Sequence, residues 1–420
     1  MSAHPLLAIP AAYHRGEHLG ITSVCSAHPL VIEATLLQAR DSGDMALIEA
    51  TCNQVNQDGG YTGMSPAHFR EFVEGICARV GFDIAKLVLG GDHLGPNPWK
   101  HLPAEEAMTN AEAMIRAYAG AGFTKLHLDT SMGCRGEPAA LADQATACRA
   151  ARLAAAAETH SPGADPVYVI GTEVPVPGGA THALGDLQIT DPESVFQTYE
   201  VHEKAFESLR LQQAFSRVIA LVVQPGVEFS HTDIVHFEAG KAQALRRTLQ
   251  SFPGIVFEAH STDYQTGDGL HNLVANGFAI LKVGPSLTFA LREAFYALDA
   301  VADILDGHPP SGTLMATMEE AMLSSPRHWQ DHYSGNATAL WLQRHFSYSD
   351  RIRYCWPMAQ VEQAVSRLRQ RLAERRIPHP VMKQFLPELA ECEPQEDIPI
   401  RAIQNVLRRY QYACSPEARH

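Results

Sequence analysis

The hydrophobic pattern of this chain alternates two textures: short apolar runs, and longer stretches with apolar positions three and four apart. Gly20–Cys25 reads as a first strand. Pro29 opens a helix to Arg40, proline being tolerated in a first turn that needs no N–H. Met45–Ala50 is a second strand, followed by a polar loop over Asn53–Gln57, a Gly59-Gly60 turn and a helix over Pro66–Val80. A third apolar run begins at Leu87 and ends abruptly in Asp92, His93 and a Gly-Pro turn at Pro96, with a helix over Glu105–Ala121 behind it. Thr124–Asp129, Pro166–Glu173, Arg217–Val223, Gly254–His260 and Phe278–Gly284 supply the fourth to eighth strands. Between them lie an Ala-rich helix over Ala139–Ala157 and helices over Pro192–Leu211, Lys241–Gln250 and Leu270–Asn276.

Eight apolar strands with helices between them predict an α/β fold closed as a (β/α)8 TIM barrel. An open doubly wound sheet is the alternative, weakened because no Gly-rich phosphate loop follows the first strand. From about residue 300 the pattern becomes mostly helical, as in Gly312–Ser324, Val361–Glu374 and Ile400–Tyr412. The expected organisation is a barrel over 1–299 and a helical C-terminal extension over 300–420.

Composition narrows the functional classes. A formal net charge of -14 argues against nucleic acid or an anionic membrane surface as partner. No apolar stretch is long enough for a membrane span, and the N-terminus lacks the basic region of a signal peptide. The eight cysteines are scattered without a C-x-x-C pair, which fits free thiols in a reducing, cytoplasmic setting. A homo-oligomer is left open.

Ionisable residues gather where the strands end: Glu49, Asp92, His93, Asp129, Glu173, His260 and Lys282. In a closed barrel that end is the catalytic face. His93, His260 and His231, the last in the loop after the sixth strand, are candidate ligands of a divalent metal such as Zn2+ with an open coordination position. They form no local motif, so the site depends on the barrel bringing them together. Downstream, the segment over 347–357 is rich in aromatics and holds Arg351 and Arg353, either as an interface with the barrel or as a phosphate clamp.

The segments SVCSAHP (23–29), GGDHLGP (90–96), GTEVPVPGG (171–179), VQPGVEF (223–229), FEAHSTDYQ (257–265), KVGPSLTFALR (282–292) and SYSDRIRY (347–354) together resemble the tagatose-bisphosphate aldolase Z-type subunit family, related to the class II metal-dependent aldolases. The resemblance implies a divalent metal, usually zinc, at His93, His231 and His260, with Asp92 as the proton-transfer group. It implies one of two functions. The first is C4 epimerisation of a ketohexose 6-phosphate, tagatose to fructose. The second is a non-catalytic role stabilising a separate aldolase subunit. No G-x-x-x-x-G-K-[S/T] loop occurs, which sets a P-loop kinase aside.

Chemistry favours epimerisation by carbon–carbon cleavage. The C2 carbonyl of a ketose acidifies C3 but not C4, so inversion at C4 requires a retro-aldol cut and re-addition to the other face. Asp92 is the expected base, with Glu173 or Asp129 as the second proton donor. Glu49, Ser131, Lys282, Arg351 and Arg353 are the expected substrate contacts. One departure from class II aldolases matters: Ser261–Gln265 follows His260 where the aldolases carry a glycine-rich phosphate loop. Asp263 would repel a phosphate there, so a free C1 hydroxyl fits better than a 1,6-bisphosphate.

Overall fold

The computed structural model describes residues 3–163, 165–171, 187–391 and 397–415. Eight parallel strands close into a barrel: β1 (Ile21–Cys25), β2 (Ala46–Thr51), β3 (Leu87–Leu94), β4 (Lys125–Leu128), β5 (Val167–Ile170), β6 (Val218–Val223), β9 (Val256–Ala259) and β10 (Ile280–Val283). The two remaining strands, β7 (Glu228–Phe229) and β8 (Ile234–Val235), form a small antiparallel hairpin after β6 that the hydrophobic pattern does not announce, being two residues each. The (β/α)8 expectation holds, with helical structure around the barrel and over the C-terminal part.

The inward positions form two chemically distinct layers, because side chains along a strand alternate between barrel interior and helix ring. Ile21, Leu47, Val88, Val167, Val256 and Ile280 form an apolar lower layer. Leu6 and Ile9, from the helical turn at Pro5–Leu7 and the helix Ala8–His14, pack into the same cluster and plug the barrel floor. Two residues further along β2, β9 and β10 the inward positions carry Glu49, Glu258 and Lys282, and Lys125 on β4 joins them.

Helix boundaries follow their caps. Pro29–Ser42 and Pro66–Val80 each start on proline and end on a left-handed glycine, Gly43 and Gly81. The predicted Leu270–Asn276 helix starts three residues earlier, at Gly267, because the Thr266 hydroxyl caps the Gly269 N–H. Helix Pro285–Leu305 runs continuously across the expected 299/300 boundary. The last helix, Ile398–Cys414, packs against the helices Pro29–Ser42, Gly267–Ala275 and Pro285–Leu305. Gly20 N–H donates to the Cys414 carbonyl at 3.0 Å, fixing the C-terminal helix at the base of β1. No helix among the described residues is long and apolar enough to cross a membrane.

Candidate metal and acid–base site

Where β3 ends, strand alternation would send Asp92 and His93 to opposite faces. The register instead shifts: Gly91 pairs with Leu126 and Leu94 with Leu128, so β3 carries one residue more than β4 across this step. His93 takes a left-handed backbone (φ +48°), unusual without a glycine. This bulge turns both Asp92 and His93 into the cavity at the barrel mouth. Strain of this kind, of order 1–3 kcal/mol, clusters at functional sites. Ser261 and Tyr264, in the loop after β9, share the left-handed backbone with φ of +51° and +63°.

Three imidazoles surround Asp92. The ring centroids of His93 and His127 are 5.0 Å apart, those of His93 and His260 5.0 Å, and those of His127 and His260 5.4 Å. Bonds of about 2.0–2.1 Å from nitrogen to one zinc ion would set three ligand rings roughly 5 Å apart. His93 Nδ1 is held by Asp129 Oδ2 at 2.7 Å, which leaves Nε2 facing the site, 3.8 Å from Asp92 Oδ2. A carboxylate behind an imidazole is the usual support of a metal-binding histidine. His127 Nε2 donates to the Gly171 carbonyl at 3.0 Å, so Nδ1 carries the lone pair. That nitrogen accepts the His93 backbone N–H at 3.3 Å and lies 3.0 Å from Asp92 Oδ1. Among the described residues, Asp92, His127, Glu258 and His260 offer ligand atoms all within 4.8 Å of one another and could hold a metal ion.

Beneath the imidazoles runs a chain of buried charges. Lys125 Nζ stands 2.6 Å from Glu49 Oε1 and 2.6 Å from Glu258 Oε2. Glu258 Oε1 meets His260 Nε2 at 2.9 Å. Lys282 pairs with Glu49 and, at 2.8 Å, with Asp92 Oδ1. Gly90 makes room for this chain: a Cβ there would lie 2.7 Å from Glu49 Cγ. Burial pushes the Asp92 carboxyl up, but the His93 and Lys282 charges outweigh it and hold it well below the carboxylate range. Burial likewise raises Asp129, yet its bond to His93 brings it down to about 2. Burial lowers His260 to about 4 against the pull of Glu258, so its imidazole is neutral at pH 7, the form a metal takes.

The expected site residues divide by position. Asp92, His93, His260, Lys282 and Arg353 line a cavity of about 890 Å3, within the range of small-molecule sites. Glu49 and Ser131 stand behind its wall; the Ser131 hydroxyl donates to Asp129 Oδ1 at 3.2 Å. His231 does not join the other imidazoles. Its Nε2 donates to the His332 carbonyl at 3.1 Å, its Nδ1 meets Ser347 Oγ at 2.9 Å, and its ring packs edge-on to Tyr333. It ties the loop after β6 to the C-terminal part. Arg351 is buried and donates to the His328 carbonyl at 3.0 Å, away from the cavity. Arg353 donates to the carbonyls of Ser349 and Asp350 and to the Tyr354 hydroxyl. Glu173 lies outside the described residues.

Sequence reasoning missed His127, Lys125 and Glu258. His127 sits two positions after Lys125 and Glu258 two after Val256, on the inward phases of β4 and β9, and that alternation was the available signal.

A closed parallel barrel with a buried imidazole–carboxylate cluster at its C-terminal mouth defines a (β/α)8 protein with an enzyme-like site. The chain belongs to the D-tagatose-1,6-bisphosphate aldolase subunit GatZ/KbaZ-like family, whose sequence model matches residues 6–415. It is 50% identical over 420 residues to a protein of Agrobacterium fabrum (strain C58) named D-tagatose 6-phosphate 4-epimerase, covering 98% of each chain. A crystal structure of a probable tagatose 6 phosphate kinase from Sinorhizobium meliloti 1021 is similar with a TM-score of 0.88 and 53% identity, over 94% of this chain and 100% of that one.

Proposed function

We propose that this chain is a metal-dependent C4 epimerase of ketohexose 6-phosphates, interconverting D-tagatose 6-phosphate and D-fructose 6-phosphate in carbohydrate catabolism. The observation that carries the reading is the convergence of His93, His127 and His260 on Asp92 in a cavity large enough to admit a sugar phosphate, in a chain half identical to a named epimerase. The kinase wording of the second relative finds no support in a P-loop.

His93, His260 and His127 would hold the cation, zinc being the choice that suits neutral imidazoles. When bound, it supplies Lewis-acid polarisation of the ketose carbonyl. Asp92 takes the proton of the C4 hydroxyl as the C3–C4 bond breaks. The electrons of that bond pass into the three-carbon enediolate fragment, and C4 becomes an aldehyde. After the aldehyde turns its other face, the enediolate re-forms the bond, and the C4 oxygen takes back a proton from an acid on that side. Glu173 remains the candidate for that acid; Asp129, ionised with a pKa of about 2, supports His93 instead. Lys282 keeps Asp92 ionised and oriented. Arg353 is the proposed anchor of the phosphate, with Tyr354 and Trp356 in the wall around it. A cytoplasmic setting is consistent with the seven described cysteines being unpaired.

The family description favours one second reading, a stabilising subunit of a two-component aldolase. Incubating the purified chain alone with D-tagatose 6-phosphate decides between them. Formation of D-fructose 6-phosphate, abolished by a chelator and restored by zinc, supports the epimerase. No turnover, together with co-purification of an aldolase, supports the subunit.

A further inference from the structure

The head of helix Pro285–Leu305 opens into the cavity wall, beside Lys282. Two backbone N–H groups and a hydroxyl converge there on one acceptor. Asp263 Oδ1 receives Gly284 N–H at 3.1 Å, Ser286 N–H at 2.8 Å and the Ser286 hydroxyl at 2.7 Å. Asp263 is 3% exposed and itself lines the cavity. Converging N–H groups at the start of a long helix are what seats a phosphate oxygen in many proteins. Here the chain's own carboxylate sits on them.

The cations of the cavity wall are also spoken for, with one exception. Lys282 is paired with Glu49 and Asp92. Arg369 is paired with Asp397 at 3.0 Å. Arg353 alone among the wall's Lys and Arg residues has no carboxylate at ion-pair distance among the described residues; its bonds go to two carbonyls and a phenol. Among the described residues the cavity therefore offers one guanidinium without a carboxylate partner and one set of helix amides that an anion already fills.

We propose that Asp263 determines substrate class, restricting the cavity to sugar monophosphates by occupying the seat that a second phosphate would need. This deepens the epimerase reading and rests on it for the identity of the sugar. A bisphosphate entering the cavity must either displace Asp263 from three donors or lie against its charge. Both penalise the second phosphate and neither touches a ligand with a free hydroxyl in that place.

Calorimetric titration of the metal-loaded protein with D-tagatose 6-phosphate and D-tagatose 1,6-bisphosphate tests this, using the parent, Asp263→Asn and Asp263→Ala. The parent is expected to bind the monophosphate at least tenfold more tightly. Asp263→Asn keeps an acceptor oxygen for the three donors and removes the charge, so it should fold and narrow that gap at least threefold. Asp263→Ala empties the seat and should close the gap or reverse it. Equal affinity of the parent for both ligands, or a gap unchanged in Asp263→Asn, overturns the proposal whatever the fate of the alanine variant. If the parent binds neither sugar, the epimerase reading fails, and inorganic phosphate becomes the probe. A tenfold gain in phosphate affinity in either variant then supports the role of Asp263, and no gain in a folded variant overturns it.

Discussion

Lys125 Nζ lies 2.6 Å from Glu258 Oε2, and both side chains are wholly buried. The same ammonium neutralises Glu49, and Glu258 in turn holds His260. A lysine at the start of β4 thus fixes an imidazole at the end of β9. Burial works against the charge on Lys125, yet the two carboxylates raise its pKa above the usual value. Replacing it with methionine keeps much of the volume, leaves Glu258 without a lysine and leaves Glu49 with Lys282 alone. Breaking a buried pair this way costs about 3–5 kcal/mol. Lys125→Met should therefore lower the urea midpoint sharply, and any folded fraction should bind metal more weakly as His260 loses its support. An unchanged midpoint would show the ladder to be electrostatically idle.

Metal content separates the four histidines. His93→Ala, His127→Ala and His260→Ala should each lose at least tenfold in zinc affinity, read by equilibrium dialysis with metal analysis, and lose turnover with it. His231→Ala should keep both. Its bonds to Ser347 and His332 are lost, so a stability decrease of about 1–2 kcal/mol is the expected signature instead. Zinc lost from His231→Ala but not from His127→Ala would reverse the assignment.

Why the sequence pointed to His231 rather than His127 has a physical answer. His231 stands beside the segment after the sixth strand, at a place where chain order alone puts it at the barrel mouth. What chain order does not carry is the C-terminal part, which comes back over that loop and takes both ring nitrogens. The barrel itself was legible because apolar runs spaced by helical patterns leave little else to build. Asp92, His260 and Lys282 were legible for a related reason, lying at strand ends on one phase. His127 was hidden in a strand of which every residue is buried, where imidazole and apolar neighbours look alike in the pattern. The bulge at His93 could not be read at all, since nothing in Gly-Asp-His-Leu demands a left-handed histidine. The floor plug at Leu6 and Ile9 also escaped, because an isolated apolar patch carries no sign of where it will pack.

Gly90 offers a test of the ladder by size alone. A Cβ at this position would stand 2.7 Å from Glu49 Cγ and 2.9 Å from Glu49 Oε1, against a side chain with no free space to yield into. Overpacking of this kind costs about 1–3 kcal/mol. Glu49 also holds Lys282, and Lys282 holds Asp92, so the displacement reaches the proposed base. Gly90→Ala should reduce kcat roughly tenfold, about 1.4 kcal/mol, with little change in KM. A wild-type kcat would mean that Asp92 is positioned without help from Glu49.

Acid should unfold this protein through its buried imidazoles. Burial holds His28 at about 3, His202 at about 4 and His260 at about 4, against about 6.5 in an unfolded chain. Above pH 6.5 these groups are neutral in both states and contribute nothing to the pH dependence. Below it the unfolded chain binds protons that the folded one refuses, so stability falls as pH drops from 6.5 toward 4. Each group adds at most about 1.4 kcal/mol per pH unit to that slope. His202 isolates the effect, because it sits on helix Pro192–Ser208 away from the cavity, and its Nδ1–H already donates to the Thr198 carbonyl at 2.7 Å. His202→Phe should flatten the fall in urea midpoint between pH 6.5 and 4.5 while leaving the pH profile of turnover in place. A slope unchanged by that substitution would mean that His202 takes up its proton in the folded state and that the acid sensitivity arises elsewhere.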